Sequence, residues 1–304
     1  MHIVVIGAGA LGAYFGSRFE EAGANVTFLV REKRAEQIHA HGIHVNSTQG
    51  DYTIRNPKVI TNTAEVKTVD LVFLSVKGYH LQGTLESLNH LTKKGAHVLP
   101  VLNGIEHIRT LQEQLGKEHV VGGLCSIFAT LNDKGHVAHS SDFHDLIFGP
   151  LEPTQTNICN QLKALTDQAN ISANYSDDIL VDLWKKYMFI NAFSGITTAV
   201  NLPIGPVTDH PETFHIAEMI LQEMKQLANK YNVALTESHV ESTKKILLNL
   251  NRDGTSSMHQ DRRKKQTLEV DHLHGGAVRL AKAVELELPF TEAVLGLIKP
   301  FENA

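Results

Sequence analysis

Two charged residues fall on apolar helix faces in the second half of this chain, and they are the first candidates for chemistry. Around Leu183-Trp184-Lys185-Lys186-Tyr187-Met188-Phe189-Ile190-Asn191, the apolar positions Ile179, Leu183, Ile190 and Phe193 recur at helical spacing, and Lys186 lies on the same stripe. Lys185 instead shares a face with Asp182. A lysine so placed either snorkels to water or occupies a cleft where its proton is released more easily. Glu269 repeats the pattern, sharing a face with Leu273, Gly276 and Leu280 on a helix expected to run from 257 to 286. A carboxylate there commonly forms a structural ion pair. Beside a redox cofactor, however, the two residues supply what ketone reduction needs: a proton donor and a carboxylate that orients donor or substrate.

The cofactor signal stands at the other end of the chain. His2-Ile-Val-Val-Ile-Gly7-Ala8-Gly9-Ala10-Leu11-Gly12 sets an apolar strand against a Gly-x-Gly-x-x-Gly turn that opens a helix. Gly7 permits the tight turn, Gly9 lets backbone approach a pyrophosphate, and Gly12 lets helix and strand pack closely. Such a turn alone is weak, because glycine turns are common. Here Gly23 ends the helix and Asn25 to Val30 reads as a second strand, completing a βαβ unit. After that strand an acidic residue usually holds a ribose 2′-hydroxyl. This chain has Arg31, with Lys33 and Arg34 behind it. A guanidinium suits a 2′-phosphate, which implies NADP(H); the alternative is a solvated basic helix start.

The elements that must position these residues divide in two. Residues 1–172 alternate strands and helices, as a Rossmann-type doubly wound α/β sheet requires, with Lys77 and Asn103 at carboxyl ends of parallel strands. Segments 120–130 and 136–149 read as antiparallel structure added to that sheet around the Asn132-Asp-Lys-Gly135 turn. Residues 173–304 read as an all-helical domain, with helices near 177–198, 211–231, 237–251, 257–286 and 291–300. A cleft between a Rossmann domain and a helical one suits a small substrate. Helices near Phe214 to Leu227 either close the helical domain or form a homodimer interface.

Composition narrows the function classes. A formal net charge of -5 over 304 residues leaves no broad basic face for nucleic acid and mildly disfavours an anionic membrane. The apolar stretch from Ile3 to Phe15 is too short to span a bilayer and carries the nucleotide glycines. Cys125 and Cys159 have neither metal nor redox spacing and point to a reducing compartment, so a cytoplasmic location is expected and the Asn-x-Ser/Thr triplets at Asn46, Asn170 and Asn174 read as chance matches. Eighteen histidines lack Cys or carboxylate partners at ligand spacing and read as exposed polar residues, with no metal site.

Taken together, these pieces resemble the ketopantoate reductase family (2-dehydropantoate 2-reductase) over nearly the whole chain. The matching segments are Gly7 to Gly12, Arg31, Ser75-Val-Lys77, Leu102-Asn103-Gly104, Leu183 to Lys186, Ser256-Ser257-Met258 and Leu268-Glu269-Val270-Asp271. The resemblance implies that Lys186 is the proton donor and Glu269 its partner near cofactor and substrate. It further implies that Asn103 bridges nicotinamide and substrate, that Ser257 contacts the substrate carboxylate, and that Lys77 and Ala129 line the cofactor. The implied activity is NADPH-dependent reduction of 2-dehydropantoate to pantoate, in pantothenate synthesis.

The match breaks at the substrate pocket. Where the family carries asparagines after the lysine, this chain has Ile190, Ser194 and Ile204, and its Asn-Gly becomes His274-Gly275. Ser194 remains a substrate-binding candidate, and Asn191 and Asn201 are possible replacements. Fewer amides favour aliphatic 2-keto acids, so a reductase of other branched-chain 2-keto acids is the alternative. A non-catalytic NADP(H)-binding sensor is the alternative of another class. An oxidative-decarboxylating hydroxyacid dehydrogenase fits less well, because its Lys-x-x-x-Asn motif meets Ile190.

Overall fold

β1 (His2–Ile6) is apolar at four successive positions because both its faces are covered: Ile3 and Val5 enter one core, Val4 and Ile6 another. The structure, a computed structural model, describes residues 1–303. After β1 come α1 (Ala10–Glu21), β2 (Asn25–Leu29), α2 (Glu32–His41), β3 (Ile43–Ser47), β4 (Tyr52–Ile54), β5 (Lys58–Ile60) and β6 (Leu71–Leu74). Then follow α3 (Leu85–Thr92), β7 (His97–Pro100), α4 (Glu106–Leu115), β8 (Gly122–Leu131), β9 (Val137–Gly149), α5 (Thr156–Thr166) and β10 (Ser172–Tyr175).

A parallel sheet runs in the order β5-β2-β1-β6-β7. The chain builds outward from β1 on one side, then returns to build on the other. The crossing point therefore lies between β1 and β6, where open α/β sheets bind ligands beyond their carboxyl ends. The expected Rossmann-type doubly wound sheet is present. The antiparallel pair β8 and β9, expected as an addition to it, instead belongs to a second sheet, β10-β9-β3-β4, with β8 paired to β9. The reason is α1, which packs against strands of both sheets and is buried from Gly12 to Phe19. A helix covered on two sides needs two apolar surfaces to cover it.

The chain divides into two compact units after Ile179, not after residue 172, because Ser172–Tyr175 pairs in parallel with Asp145–Phe148 of β9. Four residues of the first half, Asn103–Glu106, group with the second unit. Polar histidines are also less exposed than expected. His139 and His144 are buried, with Tyr14 Oη 2.6 Å from His144 Nδ1 and His139 bridging Ser47 and Ser141. Cys125 and Cys159 are separate buried thiols.

The second unit is helical: α6 (Ile179–Val200), α7 (Ile204–Asp209), α8 (Pro211–Lys230), α9 (Glu237–Asn249), α10 (Ser257–Arg263), α11 (Gly276–Ala283) and α12 (Pro289–Ile298). α6 is buried at every position from Asn191 to Thr198. The single helix expected over 257–286 is interrupted. α10 stops at a run of four cations, Arg262 to Lys265, where Lys265 takes a φ of 54°. Arg262 folds back to donate to the Thr198 and Ala199 carbonyls at the end of α6, satisfying groups a helix terminus leaves open. Helix resumes at Val270 through a π turn at Asp271–Gly275. No helix among the described residues is long and apolar enough to cross a membrane.

One buried carboxylate ties α8 to the start of α12. Glu223 on α8 accepts from the Phe290 and Thr291 amides at 2.7 and 2.9 Å and from Thr291 Oγ1 at 2.6 Å, at the positive end of α12. Glu223→Ala strands these donors and is expected to lower stability by roughly 2–4 kcal/mol. A urea denaturation midpoint equal to that of the wild type would show that the cap contributes nothing.

Candidate active site

In the first unit, the glycine turn has the form of a phosphate cradle. Gly7 adopts a φ of +94°, and a Cβ on Gly12 would lie 2.0 Å from the Gly7 carbonyl oxygen and 2.3 Å from Ser75 Oγ. Ser75, from the end of β6, donates to that same carbonyl at 2.8 Å. Over Gly9, by contrast, a Cβ would meet nothing within 4 Å. Ala8 is buried, and α1 opens at Ala10 and Leu11 with no side chain capping it. Its first amides thus face an open surface at a positive helix end, the arrangement that accepts a diphosphate. The residues present fit a dinucleotide.

The basic cluster after β2 separates into two functions. Arg34 is structural: Nε donates to the Ala8 carbonyl at 2.9 Å, and its other nitrogens donate to Gln37 and to the Gly135 carbonyl. It therefore props the glycine turn and is unavailable to a 2′-phosphate. Arg31 caps α2, is exposed, and lies 3.3 Å from His80 Nε2. His80 ends the short turn Gly78–His80 that Lys77 opens after β6. A lone histidine three residues past Lys77 gave no signal in the sequence, because its partner lies 49 positions away. Ala129 sits on β8 at a register shift opposite β9, a bulge of the kind that re-aims side chains near sites.

In the second unit, hydrogen bonds join the segments carrying Lys186, Asn103 and Glu269. Lys186 is half-buried on α6, and Lys185 turns away to pair with Asp182 at 3.1 Å, as its spacing predicted. The next residue, Tyr187, is fully buried and donates to the Leu273 carbonyl at 2.5 Å. Burial pushes its phenol well above the ordinary range. Glu269 is buried just before the helix resumes, and its carbonyl accepts from the Leu273 amide at 2.9 Å. His272 Nε2 lies 2.7 Å from the Asn103 carbonyl. Glu106, three residues further on, takes three hydrogen bonds from Arg279. Those bonds raise the Arg279 guanidinium further. Burial raises the Asp271 carboxyl, but Arg279 and Lys299 outweigh it and hold it below the usual range.

The two serines of Ser256-Ser257 differ. Ser256 is the buried cap of α10, accepting from the His259 amide at 3.1 Å, whereas Ser257 is the exposed first residue of that helix. Among the described residues no group of three His, Cys, Asp or Glu side chains is placed to hold a metal ion.

The sequence matches the description "Ketopantoate reductase PanE/ApbA" over residues 3–153 and "Ketopantoate reductase PanE/ApbA C terminal" over residues 178–302. It is 33% identical over 302 residues to the "Uncharacterized oxidoreductase YkpB" of Bacillus subtilis (strain 168), covering 99% of each chain. The chain belongs to the ketopantoate reductase family. It is an oxidoreductase of that family. Its fold superposes on a 2-dehydropantoate 2-reductase from Geobacter metallireducens GS-15 with a TM-score of 0.91, at 24% identity over 99% of each chain. It also superposes on a D-mandelate dehydrogenase solved with NADH and anilino(oxo)acetate, with a TM-score of 0.89 at 22% identity over 100% of this chain and 99% of that one.

Of the positions that depart from the expected pocket, Ile190 is half-buried and Ser194 and Ile204 are buried. His274 is fully buried with Nε2 3.0 Å from the Asn191 carbonyl. Burial lowers its imidazole to about 4, so it is neutral near pH 7 and donates through Nε2. Gly195 makes room for this ring, since a Cβ there would stand 2.5 Å from Nε2. Asn191, a candidate for the missing amides, commits its Nδ2 to the Tyr187 carbonyl at 3.0 Å. Asn201 ends α6 at a φ of 57°.

Proposed function

We propose that this chain reduces 2-dehydropantoate to pantoate with NADPH, a step of pantothenate synthesis in the cytoplasm. The observation that carries the reading is the hydrogen-bonded frame of the second unit, in which Tyr187 ties the Lys186 helix to the π turn that follows Glu269 and His272 ties that turn to Asn103. Gly7, Ala8, Gly9, Ala10, Leu11 and Gly12 hold the diphosphate, Arg31 the 2′-phosphate, and Lys77 and Ala129 line the cofactor. When bound, NADPH supplies a hydride to the ketone carbon. Lys186 gives a proton to the carbonyl oxygen as negative charge grows there, and recovers it from solvent. Glu269 keeps the ammonium aligned. Asn103 and Ser194 orient the keto acid, and Ser257 hydrogen-bonds its carboxylate. The quaternary state that goes with this reading is a homodimer.

Ile190, Ser194 and Ile204 support a second reading within the family, reduction of a more aliphatic branched 2-keto acid. NADPH oxidation measured with 2-dehydropantoate, 2-ketoisovalerate, 2-ketoisocaproate and benzoylformate, then repeated with NADH, tests both. A preference for 2-dehydropantoate of less than tenfold in kcat/KM moves the assignment to the second reading. NADPH binding without oxidation by any keto acid moves it to a non-catalytic sensor.

Arg31 carries the cofactor preference. Arg31→Ala is expected to raise the KM for NADPH by about 10- to 100-fold, the worth of a charge-assisted hydrogen bond, while NADH kinetics barely change. Equal losses with both cofactors would remove Arg31 from the 2′-phosphate.

A further inference from the structure

We propose that His272 is a positioning residue for hydride transfer, acting through the backbone of Asn103. The inference rests on the assignment of Asn103 to the nicotinamide and substrate. A carbonyl oxygen only accepts, so the 2.7 Å contact requires the proton on His272 Nε2. The short segment Asn103–Glu106 is then held at both ends by one stretch of helix: His272 grips Asn103, and Arg279 grips Glu106. Between the grips, Gly104 takes a φ of +94°, and a Cβ on it would stand 3.2 Å from His272 Nε2. The ring therefore lies against the peptide that aims Asn103. Arg279 supplies the stronger anchor for the segment as a whole, with three hydrogen bonds to Glu106. What His272 adds is local: it sets the rotation of the Asn103 peptide plane, and with it the direction in which the side chain leaves the backbone.

The π turn at Asp271–Gly275 lets its three polar residues, Asp271, His272 and His274, find different partners. Asp271 meets Arg279 and Lys299, His272 meets Asn103, and His274 meets Asn191. Widened turns of this kind recur at functional sites. Glu269 lies three residues before His272, so one local distortion relates the candidate carboxylate to the candidate amide.

The test compares His272→Leu, His272→Gln, Asn103→Ala and the double variant His272→Leu/Asn103→Ala. Misplacement by about 1 Å costs on the order of 100-fold in rate, so His272→Leu is expected to lower kcat by about 10- to 100-fold. Its primary kinetic isotope effect with 4-deuterated NADPH should rise, while NADPH affinity and melting temperature stay near wild type. In the cofactor-free protein, the segment 103–106 should exchange amide hydrogens faster. His272→Gln, whose amide can also donate, should recover most of both losses. The double variant should be no slower than Asn103→Ala, as expected for residues acting as one unit. Wild-type kcat and isotope effect in His272→Leu, with a slow Asn103→Ala, overturn the inference alone. Equal damage by Leu and Gln overturns it too. A fully active Asn103→Ala overturns the site assignment and this inference with it.

Discussion

Lys186→Ala is expected to lose about 10²–10⁴-fold in kcat, the span that general acid catalysis supplies, while NADPH binds as before. Lys186 is half-buried on a helix whose neighbouring Tyr187 is locked to the Leu273 carbonyl, so trimming the lysine leaves its surroundings in place. The loss should therefore be chemical and not structural. Lys186→Arg should not restore the rate, because a guanidinium keeps its proton throughout the working range. Steady-state kinetics with fluorescence titration of NADPH check both points. A variant as fast as the wild type would move the proton donor elsewhere.

The second large effect is expected at Gly12. A methyl there overlaps the Gly7 carbonyl oxygen at 2.0 Å and Ser75 Oγ at 2.3 Å, and one of these is backbone that cannot rotate away. Gly12→Ala must push α1 off the end of β1. Overpacking of this kind costs about 1–3 kcal/mol, and the cradle loses its shape, so NADPH binding should become undetectable. Gly9→Ala provides the contrast. Its methyl meets no protein atom within 4 Å, so urea stability without cofactor should equal wild type while NADPH affinity falls. If Gly12→Ala kept both its midpoint and its affinity, the close approach of helix to strand would be irrelevant to the cofactor.

What could be read from the residues follows from how each element is buried. β1, β2, β6 and β7 are covered on both faces and show as apolar runs, broken in β2 only by the buried Thr27. β3, Ile43-His-Val-Asn-Ser47, and β10, Ser172-Ala-Asn-Tyr175, are short and polar on one side, and neither announces itself. The hairpin of β8 and β9 was visible in its turn, but nothing in it said which sheet it would join. The break after α10 was hidden because apolar spacing continues past Lys265 while the backbone does not. At the site, residue types carried the signal. Glycines, Lys186 and Glu269 have distinctive chemistry, whereas His80, Arg34 and Tyr187 act through partners that are remote in sequence or are plain carbonyl groups.

The chain enters the second unit after Leu102, leaves it after Glu106, and returns for good after Ile179. The halves are therefore not separable modules. A fragment cut at Ile179 lacks in its helical part the four residues whose carboxylate neutralises Arg279 and whose carbonyl meets His272. Exchanging that helical part between relatives would likewise divide Glu106 from Arg279, the arginine it pairs with. Any functional chimera must carry the two pieces as one inheritance, although 173 positions of sequence stand between Glu106 and Arg279.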